Sequence, residues 1–187
     1  MSTPLDQLKS VDLSHLSKEE AKEFTILLEE LEKREKRESS MASFYDFVKA
    51  IWPEFIAGAH HKKMAEAFDK IASGESKRLI INMPPRHTKS EFASYLFPAY
   101  LLGKRPKLKI IEATHTADLA INFGRRVRDL LESEEYAEIF PATELKADSR
   151  SAGKWNTSQG GQYYAAGIGG ALAGRGADLF IIDDPHS

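Results

Sequence analysis

The stretch Ile80-Ile81-Asn82-Met83-Pro84-Pro85-Arg86-His87-Thr88-Lys89-Ser90-Glu91 decides how this chain is read. Apolar residues lead into two prolines and a polar turn, and Lys89-Ser90 opens an apolar run long enough for a helix. A strand, a turn and Lys-Ser at a helix N-terminus is how a phosphate loop holds a nucleotide. Backbone amides converge on the phosphates, the lysine neutralises them, and the hydroxyl ligates Mg²⁺. In the pattern G-x-x-x-x-G-K-[ST] the glycine positions fall on Met83 and Thr88, so the pattern fails twice. Glycine is favoured there because it tolerates positive φ and close approach, whereas the binding comes from the amides. Residues 86–90 can supply those amides, with Lys89 for the phosphates and Ser90 for the metal.

Such a site also needs a carboxylate from a neighbouring strand and a group that orients the attacking water. Leu179-Phe180-Ile181-Ile182-Asp183-Asp184 has that form, four apolar residues followed by two acids. Asp183 would hold the metal and Asp184 would handle the water. An apolar strand ending in a polar turn is the plainer account of the same residues. The two motifs in this order, with βα units between them, favour the functional account.

Working outward, residues 1–16 are polar and lack periodicity, as expected of a loose arm. Ser17 and Glu20 form a capping-box pattern ahead of Ala21, Phe24, Leu27, Leu28 and Leu31 at helical spacing. Residues 33–40 are almost wholly charged and read as a frayed end or linker. Short helices are expected over residues 43–52 and 60–72, the second ending at Gly74. His60 and His61 point about 100° apart on a helix and cannot easily chelate one metal, so one is expected to be buried or capping and the other solvated. Residues 77–82 should form the strand that feeds the loop, and 91–102 a buried helix kinked by Pro98. Residues 107–114 read as a strand and 117–131 as a helix whose outer face carries Arg125, Arg126 and Arg128, either solvated or contacting DNA or another subunit. Two short β segments flank Gln159-Gly160, and a glycine-rich stretch over 167–176 fails as a dinucleotide fingerprint because its third position is Leu172. The expected class is α/β, a mostly parallel sheet flanked by helices, with an N-terminal helical extension. The division expected is an arm and amphipathic helix over 1–40 and a main domain over 41–187.

Composition narrows the class. The chain has 187 residues, a formal net charge of −2 and no cysteine, which excludes a disulfide scaffold and thiolate zinc sites. A strongly basic nucleic-acid module is not indicated, though a local basic patch is compatible with the balance. No signal peptide is visible and no apolar run approaches the ~20 residues needed to span a bilayer, so a soluble protein with no membrane partner is expected.

The sequence resembles the large subunit of phage terminase, the ATPase that drives DNA into viral procapsids. The resemblance runs from about residue 43 to the C-terminus, through WPEFIAGAHHKKMAEAF, LIINMPPRHTKSE, ATHTADLAINFGRRVRDLL and GGQYYAAGIGGALAGRGADLFIIDDP. The Gly-Arg-Gly-Ala-Asp block just before the acidic strand is its most specific part. It implies a P-loop ATPase fold, truncated after the acidic strand, that binds ATP and Mg²⁺ to power packaging of double-stranded DNA. The implied phosphate loop is 84–90, with Pro85, Arg86, His87, Thr88, Lys89 and Ser90 at the nucleotide. Ser90 and Asp183 are the implied metal ligands, with Asp184, Arg86 and Arg175 catalytic, the last two as arginine-finger candidates. The implied partners are DNA, a portal protein, a small terminase subunit and further copies in a ring on the procapsid. The implied setting is the cytoplasm of a bacterial host, for a phage or prophage protein. Many terminases carry Asp-Glu where this chain has Asp183-Asp184. Terminases also continue into a coupling motif and a nuclease domain, so nuclease activity is implied for the family and not for these residues. A helicase-like translocase and a catalytically inactive interaction module are the alternative readings.

Overall fold

A computed structural model describes residues 4–170, 172 and 174–186, without the side chains of Pro4 and Arg150. The parts of the expected arm and glycine-rich stretch at 1–3, 171 and 173, and the terminal Ser187, lie outside the described residues. The chain is an α/β structure with a five-stranded mixed sheet flanked by helices. The strands are β1 (Lys109–Thr114), β2 (Leu145–Arg150), β3 (Lys154–Thr157), β4 (Gln162–Gly167) and β5 (Leu179–Asp183), in the spatial order β2-β3-β4-β1-β5. β1 is parallel to both β4 and β5, while β2–β3 and β3–β4 are antiparallel. The expected mostly parallel sheet is therefore corrected to a mixed one. The reason is local: Gln159 and Gly160, with Gly160 at φ 96, fold β3 back on β4 as a hairpin.

The helices are α1 (Pro4–Lys9), α2 (Lys18–Ala42), α3 (Phe44–Ile51), α4 (Ala59–Ser73), α5 (Phe97–Lys104), α6 (Ala117–Leu131) and α7 (Glu134–Ile139), and Leu13–His15 makes a 3₁₀ turn. Two expectations at the N-terminus fail. The arm is partly helical, its α1 packed on α2 and tied by Lys9 to Glu32 at 2.8 Å. Residues 33–40 continue α2 rather than fray, because Arg34 pairs with Glu38 one turn on and the Ser40 side chain bonds back to Lys36 O. Ser17 and Glu20 form the capping box that the sequence announces.

The core is aromatic. Phe44 sits edge-on to Phe68, Phe92 and Phe97, joining α3 and α4 to the run after the loop. That run begins as a π-helical turn, Glu91–Leu96, and becomes α-helical at Phe97, where Pro98 lacks the N–H that a regular ladder would use. α6 packs on β4 and β1, and the π-helical turn packs on β5 and α6. Trp155 and Tyr163 stack at 4.8 Å on the antiparallel side, and Trp155 Nε1 donates to Gly124 O.

Residues 77–82 depart most from expectation. They form neither helix nor strand in the described structure. A groove of about 710 Å³ separates them from β5, lined by Leu79, Ile81, Phe180 and Ile182 among others. Across that gap no ladder partner is within hydrogen-bonding reach, so apolar composition alone does not make a strand. No helix among the described residues is long and apolar enough to cross a membrane.

Candidate functional site

The loop that follows residues 77–83 turns through 85–88 and enters helix at Lys89. Its two left-handed residues are Arg86, at φ 63, and Thr88, at φ 60. Left-handed backbone in a β-branched residue costs roughly 1–3 kcal/mol unless neighbours hold it. Thr88 is held. Its hydroxyl donates to His87 O at 2.6 Å and lies 2.7 Å from His61 Nε2. His87 Nδ1 is 2.9 Å from Pro85 O, a second brace across the turn. Thr88 O then accepts from Phe92 N at 3.0 Å, which joins the turn to the π-helical segment. Helix N-termini leave their first amides unpaired and partly positive, so this end of the chain suits an anion.

The structure brings Lys89 and Asp184 together from 95 residues apart in sequence, with Nζ donating to Oδ1 at 2.6 Å. The Lys89 side chain is 28 % exposed and that of Asp184 58 %, so the pair is solvent-screened and adds little to stability. Its effect is on charge: the hydrogen bond to Asp184 raises the Lys89 pKa, and burial opposes it only in part. Asp183 ends β5 in register with Thr114 on β1 and is buried. Asp184, at φ 39, turns the chain there, and its carbonyl accepts from His115 N at 3.2 Å. The ends of β1 and β5 therefore fix the two carboxylates beside the loop.

Behind the loop, Arg126 of α6 makes a two-pronged bond to Glu91, at 2.9 and 2.6 Å, and its guanidinium lies 4.2 Å from the centre of the Tyr95 ring. Of the arginines expected on a solvated face, Arg126 instead anchors the first turn after Ser90, and Arg128 pairs with Asp129. Arg175 lies over the Tyr164 ring at 3.9 Å. Tyr164 belongs to β4, and β1 lies between β4 and β5, so this contact is not with the Lys89–Asp184 pair. Arg86 and His87 are exposed on the turn.

One residue escaped the sequence reading altogether. Glu112, on β1 and fully buried, has neither carboxylate oxygen in a hydrogen bond. Burial pushes its pKa well up, and Asp183 adds to the rise; Ser94 opposes it from nearby, although its hydroxyl does not meet hydrogen-bond geometry with the carboxyl. Burial and Asp183 both act against the charged form of Glu112. The signal was a single acid inside an apolar strand, which is unusual unless the group is neutral or paired. His61 was read in part: one of His60 and His61 was expected to be buried or capping, and His61 is both, but its partner on the loop was not foreseen.

Chemically, the arrangement offers one lysine, helix-start amides, one hydroxyl and two carboxylates at adjoining element ends. Among the described residues no three His, Cys, Asp or Glu converge as a metal cage. A Mg²⁺ ion shared with phosphate oxygens needs only one or two protein oxygens, and Ser90 and Asp183 are hard-oxygen donors of that kind. No protein-family model matches this chain, and neither a curated protein nor a solved structure matches it.

Proposed function

We propose that this chain is a phosphate-loop ATPase domain of the terminase type, which binds ATP·Mg²⁺ through Lys89 and Ser90 and uses its hydrolysis to move double-stranded DNA. The observation that carries this reading is the meeting of Lys89 with Asp184, next to Asp183, at the ends of two neighbouring parallel strands. Ligands in open α/β sheets bind at such carboxyl ends.

In this reading a terminal phosphate competes with Asp184 for Lys89. Once displaced, the Asp184 carboxylate is available to take the proton of a water whose oxygen attacks the γ-phosphorus. The bond to the β-phosphate oxygen breaks and ADP leaves. Mg²⁺ would be held by Ser90 and Asp183 and would neutralise charge on the phosphates. Arg86, exposed on the turn, is the candidate for stabilising that charge from within the chain. Arg175 is the candidate for doing so across a ring of copies, after leaving its place over Tyr164. The portal protein, small subunit and host-cytoplasm setting belong to the same proposal and rest on the sequence resemblance alone.

The test is a calorimetric titration of the whole chain with ATP, with and without Mg²⁺, followed by a phosphate-release assay. Lys89→Ala is expected to weaken ATP·Mg²⁺ binding by about 10- to 100-fold, since charge-assisted bonds are worth about 1.5–3 kcal/mol. Unchanged affinity in that variant would remove the basis of the proposal. Turnover by the chain alone is expected to be slow.

A further inference from the structure

We infer that His61 is a positioning residue that does the work of a missing glycine: its ring holds Thr88 in left-handed backbone at the point where phosphate loops place glycine. The functional part of this inference rests on the phosphate-cradle reading above, while its structural part does not.

The bonds fix their own directions. Gly58 N–H donates to His61 Nδ1 at 2.8 Å, so that nitrogen carries no proton. A neutral ring then bears its proton on Nε2, which faces Thr88 Oγ1 at 2.7 Å. Thr88 uses its only proton on His87 O, so its oxygen is left to accept from His61. One unbroken chain of donors thus runs from the start of α4 to the turn. Gly58 has no side chain to close a reciprocal cap, so the His61 ring supplies the side-chain cap at this helix end.

The ring itself cannot drift. His61 is 6 % exposed, lies edge-on to Phe55 at 4.7 Å and stacks near Phe92 at 5.5 Å. Phe92 belongs to the segment that the loop leads into, and its amide bonds to Thr88 O. The same two elements therefore grip Thr88 through its backbone and through its hydroxyl. Glycine would reach positive φ at no steric cost, and a threonine reaches it here because a buried imidazole fixes its side chain.

The conservative variants separate this role from simple core filling. In His61→Gln the amide nitrogen stands where Nε2 stands and keeps the bond to Thr88. In His61→Asn the amide oxygen stands for Nδ1 and keeps only the bond to Gly58. His61→Asn is expected to weaken ATP·Mg²⁺ binding about tenfold, and His61→Gln to stay within about twofold of the native chain. In a Thr88→Gly background the His61→Asn change should cost less than about twofold, because glycine needs no clamp. Equal losses in both backgrounds, or His61→Gln as damaging as His61→Asn, overturn the inference. The same cycle is read in the thermal unfolding midpoint without nucleotide. If the native chain binds no ATP, the functional proposal falls, and coupling or additivity in the midpoints still decides for or against the clamp.

Discussion

The turn over residues 83–90 has no glycine and holds two residues at positive φ, while the glycine-rich stretch 167–176 holds one such glycine among its described residues, Gly174 at φ 78. The two regions use their residues in opposite ways. In the turn, the Thr88 hydroxyl donates to His87 O and accepts from His61 Nε2, and these bonds hold the left-handed backbone. In the glycine-rich stretch, Gly167 provides room: a Cβ there would lie 2.9 Å from the Ala117 amide nitrogen at the start of α6. Glycine content therefore marks two different needs, close approach and backbone freedom, and the second can be met by side-chain chemistry.

The largest expected effect breaks the packing side of that contrast. Gly167→Val should destabilise the chain by roughly 3 kcal/mol, as overpacking against backbone does, measured by urea unfolding. A loss below about 0.5 kcal/mol would mean that α6 yields and that the room is not needed. Next comes the turn. Thr88→Val keeps the branch and removes only the hydroxyl, leaving the buried His61 Nε2–H without an acceptor. The expected cost is about 1–2 kcal/mol in the same experiment, and a neutral result would show that the hydroxyl does not hold the turn.

The smallest effect is the pH dependence of that clamp. Burial, with His60 and His87 nearby, lowers the His61 pKa from its ordinary 6.5. Between the lowered value and 6.5 the unfolded chain binds more protons than the native one, so stability rises with pH through that window. Acidification through the same window removes that stability, because a second ring proton would face the Gly58 N–H. The stability gap between the native chain and His61→Asn should therefore narrow on acidification from pH ~7.5 to pH ~5. A gap that stays constant would mean that His61 does not titrate with unfolding.

How far the sequence was legible differs between these regions for the same reason. Helices α4 and α6 were readable within a residue or so, because apolar spacing and caps such as Gly74, at φ 82, act over one or two turns. Two short β segments on either side of Gln159 and Gly160 were readable, but not their antiparallel pairing, which depends on how the segments meet. The extent of α2 was not, since its charged second half is stabilised by pairs such as Arg34–Glu38 rather than by an apolar stripe. The strand expected over 77–82 failed because pairing needs a neighbour at bonding distance, which local composition cannot supply. At the site, the residue types were legible but Arg126 was not, because its carboxylate partner lies 35 positions away.

By itself the sequence determined the α/β character, the capped helices and the identity of the candidate groups Lys89, Ser90, Asp183 and Asp184. These follow from periodicity and from residue chemistry, both of which act locally. Only the tertiary structure decided that the sheet is mixed, that Lys89 reaches Asp184, that Glu112 is buried without a partner, and that His61 closes on Thr88. Each of these depends on where distant segments meet, and on the loss of water there, which gives a single hydrogen bond its consequence.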